Sequence, residues 1–124
     1  MDCNACIYTA VDEMDPPEFL SATWPSARKF HQCCECGKQI PAGDRYERTV
    51  GKWDGEVRTY VTCAICSEIG EAFCCDGWVY GQLWEDAVDG EFFSRMTTGC
   101  LEKLKTAAAK SELIHRWQQW RFGQ

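Results

Sequence analysis

Polar and apolar positions alternate from Asp44 to Val50 and again from Glu56 to Thr62, with Gly51-Lys52-Trp53-Asp54-Gly55 between the two runs. Period-two alternation predicts strands, and Asp-Gly between such runs is a strong short signal for a two-residue hairpin loop. With Asp54-Gly55 as the loop, Trp53 pairs with Glu56 and Val50 with Thr59. That register collects Tyr46, Val50, Val57 and Val61 on a core-like face and sends Glu47, Trp53, Arg58 and Tyr60 to an amphipathic one.

After Cys63 the apolar spacing changes to three and four, at Ala64, Ile65, Ile69, Ala72 and Phe73, which predicts a helix of about three turns. Leu83, Trp84, Ala87 and Val88 predict a short second helix interrupted near Gly90. The segment from Cys100 to Phe122 predicts the longest helix, with Leu101, Leu104, Ala108, Ile114 and Trp117 on one stripe and Thr97 or Thr98 as its cap. Residues 1–27 show neither period and contain Asp15-Pro16-Pro17-Glu18-Phe19 and Trp24-Pro25, which bias the backbone toward extended and turn conformations. They are expected to form an irregular arm, whose packing on the rest depends on Phe19, Leu20 and Trp24, the residues with apolar area to bury. The expected fold class is α+β: the arm (1–27), a knuckle, hairpin and helix (28–76), and a C-terminal helical region (77–124).

Composition changes the picture at one residue type. Ten cysteines in 124 residues imply either a disulfide scaffold or a set of thiolate ligands. The N-terminus, Met-Asp-Cys-Asn-Ala-Cys, has neither the basic start nor the apolar run of a secretory signal, and no window is long and apolar enough for a membrane span. A cytoplasmic protein with reduced or metal-bound cysteines is therefore expected. Cys33-x2-Cys36 and Cys63-x2-Cys66 supply four thiolates, the spacing of a tetrahedral zinc site, in which two sulfurs three residues apart reach one ion at about 2.3 Å. Cys36 is followed by Gly37-Lys38, as in a zinc knuckle. Cys63 and Cys66 fall in the first turn of the predicted helix, where free amides and the helix dipole favour negative sulfur. Four protein ligands leave no open position, so the expected Zn2+ is structural. Knuckle, hairpin and helix in that order is the treble-clef arrangement.

Cys34 is a spectator on this reading, because its spacing to Cys36 is the poorer geometry. Cys3-x2-Cys6 is another ligand-type pair, and Cys74, Cys75, Cys100 or His31 could complete a second site with it. The alternative for these residues is unpaired thiols near a frayed terminus.

The stretch from His31 to Cys66, preceded by Asp15-Pro16-Pro17-Glu18-Phe19 and followed by Asp76-Gly77-Trp78-Val79-Tyr80-Gly81-Gln82-Leu83-Trp84-Glu85-Asp86, resembles a group of small phage and prophage proteins that share a four-cysteine treble-clef-like finger. The knuckle, the step from Ile40 to Gly43 and the Lys52-Trp53-Asp54-Gly55 turn carry the likeness. It implies a fold and a phage origin, and implies no activity.

A net charge of -6 argues against general affinity for phosphate backbones. Acidic residues gather in two blocks, Asp2, Asp12, Glu13, Asp15 and Glu18, then Glu68, Glu71, Asp76, Glu85, Asp86, Asp89 and Glu91. Arg116, Trp117, Trp120 and Arg121 could instead form a stacking face for single-stranded nucleic acid, though tryptophans at helical spacing are more often core or an oligomer contact. The only histidines, His31 and His115, sit in no nucleophile or nuclease signature. The function expected is a non-enzymatic, zinc-stabilised module that binds a host or phage protein, ahead of a nucleic-acid-binding finger and of a metal-dependent nuclease.

Overall fold

The computed structural model describes residues 3–8, 16–75 and 77–123. The acidic residues Asp2, Asp12, Glu13, Asp15 and Asp76 lie outside them. In chain order the elements are β1 (Phe19–Thr23), β2 (His31–Gln32), β3 (Gln39–Ile40), β4 (Tyr46–Trp53), β5 (Glu56–Cys63), α1 (Ala64–Phe73), α2 (Leu83–Asp89), α3 (Phe92–Arg95) and α4 (Ala107–Phe122), with a 3-10 turn at Thr98–Lys103. The architecture is mixed α and β, with antiparallel sheets and a C-terminal helix.

β4 and β5 form the predicted hairpin, with Trp53 opposite Glu56 and Val50 opposite Thr59. Asp54 and Gly55 both have positive φ, 51° and 81°, the requirement of a turn whose twist matches the strands. The faces follow expectation only in part. Tyr46 on the face read as core is buried and Val61 packs against the core. Glu47, Thr49 and Thr62, on the face read as amphipathic, are buried, while Val57 on the face read as core is 61% exposed. The reason is tertiary: α1 packs under the Glu47 end, where Ser67 donates a 3.0 Å hydrogen bond to the Glu47 carboxylate.

Part of the arm is regular. β1 pairs antiparallel with β4, making a three-stranded sheet in the order β1-β4-β5. An edge strand satisfies its backbone through one neighbour and needs no alternation in its own sequence. Phe19, Leu20 and Trp24 all remain exposed, so they are not what anchors the arm. Ala5 and Ile7 are, being almost fully buried, and the Ile7 amide donates to the Phe73 carbonyl at 2.7 Å.

The core is built around α1. Ile69 and Phe73 are fully buried with Leu83 of α2, Phe92 of α3 and Leu113 of α4, and each such side chain contributes about 1.5–3 kcal/mol by leaving water. Phe73 and Phe92 meet with ring centroids 5.0 Å apart. α2 ends at Gly90, as its sequence suggests. The long C-terminal helix is shorter than its periodicity predicts: Thr97 caps the 3-10 turn, the chain extends at Leu104, and α4 begins only at Ala107 with Thr106 as N-cap. Glu68 of α1 causes the break by accepting from the Lys105 amide, the Thr106 amide (3.1 Å) and the Thr106 hydroxyl (2.7 Å). α4 then buries Ala109 and Leu113, whereas Ile114 of the expected stripe is exposed.

Candidate metal centre

β2 and β3 form a two-residue ladder whose connection is the knuckle. The Gly37 amide returns to the Cys33 carbonyl and the Cys33 amide donates to the Lys38 carbonyl, both at 3.0 Å. Gly37 has φ +75°, so the position following Cys36 favours a residue without Cβ. The second pair sits where β5 becomes α1: Cys63 is the N-cap residue and its sulfur accepts from the Cys66 amide at 3.4 Å.

The structure brings Cys33, Cys36, Cys63 and Cys66 together, with all four sulfurs within 4.8 Å of one another. Cys36 and Cys63 sulfurs are 3.9 Å apart. A tetrahedral ion with sulfur at about 2.3 Å requires sulfur–sulfur separations of roughly 3.8 Å, so the set fits such an ion after a small contraction. Amides point at the sulfurs as a thiolate site needs: Cys33 Sγ accepts from the Glu35 amide (3.4 Å) and the Cys63 amide (3.3 Å). The Trp84 indole N–H donates to Cys66 Sγ at 3.4 Å.

The sulfurs of Cys33, Cys63 and Cys66 shift one another's ionisation in opposite directions. Hydrogen bonds from Cys63 and then Cys66 pull the Cys33 thiol far below its ordinary range. The partnership with Cys33 pushes Cys63 up to about 12, and Cys33 together with Cys63 raises Cys66 as well. A divalent cation binds such a set by displacing thiol protons. A pocket of about 300 Å3 borders Cys36, Cys63 and Cys66, together with Lys38, Arg45 and Glu112, and provides a route to the cluster.

Cys34 takes no part. Its sulfur lies 3.5 Å from Glu35 Oε2 and 3.6 Å from Thr62 Oγ1, and burial pushes its thiol up to about 12. The second site does not form among the described residues. Cys3 is joined to Cys100 and Cys6 to Cys75 by disulfides, and Cys74 is a free thiol that burial likewise raises to about 12. Each partner needs another sulfur within bonding distance, and the fold supplies one rather than four. This also corrects the expectation that every cysteine is reduced or metal-bound. His31 lies against Tyr46, with ring centroids 4.8 Å apart, and does not join the cluster.

Glu35, between Cys33 and Cys36, carries no local signal of a role in the sequence. Its carboxylate accepts from the Gly81 amide (2.8 Å), the Leu83 amide (2.9 Å) and the Trp78 indole (3.2 Å), pinning the knuckle to the segment that opens α2. Burial raises its pKa. Nothing local marks either Glu35 or Trp84, because their partners lie far away in the chain.

No family model, curated protein or solved structure matches this chain. Among the described residues no helix is long and apolar enough to cross a membrane.

Proposed function

We propose that this chain is a zinc-stabilised, non-enzymatic protein-interaction module of treble-clef type. On the resemblance noted above, it is a phage or prophage accessory protein acting on a host or phage protein in the host cytoplasm. The observation that carries the metal reading is the closed set of four cysteine sulfurs, within 4.8 Å of one another and supported by amide and indole donors. Zinc accounts best for an all-sulfur tetrahedral set, and full occupation by protein ligands leaves no coordination position for a substrate or an activated water. The metal's role is then to hold the knuckle, hairpin and helix in register.

A protein partner is favoured over nucleic acid by the net charge and by how the basic aromatic face is used. Arg116 is ion-paired with Glu112 at 2.8 Å and lies over the Trp84 ring at 4.5 Å, while Trp120 stacks on Phe93. Two disulfides are rare in a reducing compartment, so cytoplasmic placement is the element of this reading that a redox measurement decides.

Native mass spectrometry with metal analysis, on protein purified without chelators, tests the centre. One zinc per chain is expected, lost in Cys36→Ser and Cys66→Ser; zero zinc in the unaltered protein overturns the reading. Tight oligonucleotide binding with a steep salt dependence would replace the protein-interaction assignment with the nucleic-acid one.

A further inference from the structure

The hairpin tip carries an aromatic groove that the metal centre does not explain. Its volume is about 650 Å3, the size of a ligand or peptide site. One wall is a continuous ladder of rings. Trp78 stacks on Tyr80 at 4.9 Å and Tyr80 on Tyr60 at 5.3 Å, and the edge of the series is closed by Trp53 at 5.9 Å from Tyr60.

Both tryptophans are seated on glycines. A Cβ on Gly51 would collide with the Trp53 ring, and one on Gly70 would fall 2.6 Å from the Trp78 ring. The ladder is thereby held in place before any ligand arrives, which reduces the ordering cost of binding. Gly51 belongs to β4 and Gly70 to α1, so sheet and helix each position one end.

We propose that this groove is where the partner docks, and that its occupant is an extended, proline-rich peptide segment carrying a basic residue. The proposal rests on the interaction-module reading and adds the chemistry of the partner. Two observations select that occupant. First, Pro16 and Pro17 of the chain's own arm line the same groove, so proline already forms part of the wall that an incoming proline-rich segment would meet. Aromatic-lined grooves suit the polyproline conformation because proline presents rigid ridges at little entropic cost. Second, the groove is acidic at the turn. Asp54 and Glu56 both line it; Arg58 offsets Glu56 through a 3.0 Å ion pair, and Asp54 has no ion-pair partner among the described residues. A lysine or arginine beside a polyproline run would meet that carboxylate.

Stacked bases fit less well. Trp78, Tyr80 and Tyr60 already stack on one another, so their inner faces are occupied, and Asp54 repels phosphate.

The test is calorimetric titration of the intact, zinc-loaded protein with a blocked peptide of Pro-x-x-Pro repeats bearing one arginine. Saturable binding is expected, weakened about tenfold when glutamate replaces the arginine, a difference of about 1.4 kcal/mol. Tyr60→Ala should weaken binding by tenfold or more. Asp54→Asn keeps a residue suited to the left-handed turn and should remove the preference for arginine over glutamate, which gives a readout should Tyr60→Ala fold poorly. Failure to saturate at millimolar peptide, equal affinity for the two peptides, or tighter binding of a short single-stranded oligonucleotide in the same groove would each overturn the proposal. Zinc stoichiometry measured on the same samples separates the two readings: one zinc per chain without peptide binding removes the groove proposal alone, whereas absence of zinc removes the module reading beneath it.

Discussion

The knuckle–hairpin–helix unit and the tie from the N-terminal segment to Cys75 and Cys100 both depend on sulfur, but in opposite ways. In the first, four thiols from residues 33–66 converge on one point, and the order of elements between them is the order in which they fold back. In the second, Cys3 reaches Cys100 and Cys6 reaches Cys75 across separations of 97 and 69 residues. A thiolate cluster stabilises through bonds to an ion present only in the folded state; a disulfide acts largely by restricting the unfolded chain, more so for a longer loop. On the zinc reading the two devices answer to different reagents, a chelator and a reductant.

The strongest way to break this contrast is metal removal. A zinc chelator under non-reducing conditions, or Cys66→Ser, should forfeit on the order of 10 kcal/mol of site free energy and unfold the hairpin unit; circular dichroism and metal content should fall together while both disulfides persist in mass mapping. Next in size is reduction of the long-range tie. Cys3→Ser with Cys100→Ser should cost about 3–4 kcal/mol, lowering Tm by on the order of 10 °C, and leave zinc stoichiometry at its original value. Loss of zinc in that variant would show that the two regions are one cooperative unit.

Glu35 bridges the regions, and its removal sharpens the comparison. Glu35→Ala strands the Gly81 and Leu83 amides and the Trp78 indole, which should cost about 3 kcal/mol with zinc retained; Glu35→Gln, which keeps an acceptor oxygen, should cost less. Denaturant titration followed by tryptophan fluorescence reads both.

The smallest expected effect is at Glu68. Burial opposes its ionisation, but hydrogen bonds from the Thr106 side chain and the Thr106 and Lys105 amides prevail and hold its pKa below the ordinary 4.5. Because the folded value is depressed, its contribution is present above about 4.5 and is lost as pH falls through the lower folded value. Carbon-detected NMR titration should place the Glu68 midpoint below that of a peptide glutamate, and Glu68→Ala should cost about 1 kcal/mol as a weakened cap.

Local physics explains what could be read in advance. The hairpin register follows from Asp54-Gly55, since few residue pairs adopt two positive φ values in succession. The convergence of Cys33, Cys36, Cys63 and Cys66 follows from the x2 spacing, which a tight turn and a helix start each convert into two sulfurs on one side. β1 was illegible because edge pairing is decided by the neighbour β4, and its exposed residues bear no alternation. The start of α4 was misjudged because Glu68, remote in sequence, competes for the amides that would have continued the helix.

The sequence by itself determined the short-range geometry: a turn of fixed handedness, two Cys-x2-Cys pairs and the helix that follows them, each set by contacts within a few residues. Tertiary structure alone decided which hairpin face is buried, which cysteines find each other as disulfides, and that Trp53, Tyr60, Trp78 and Tyr80 line up as one ladder. Those outcomes depend on which surfaces meet across long stretches of chain, and burial is a property of the meeting rather than of the residue.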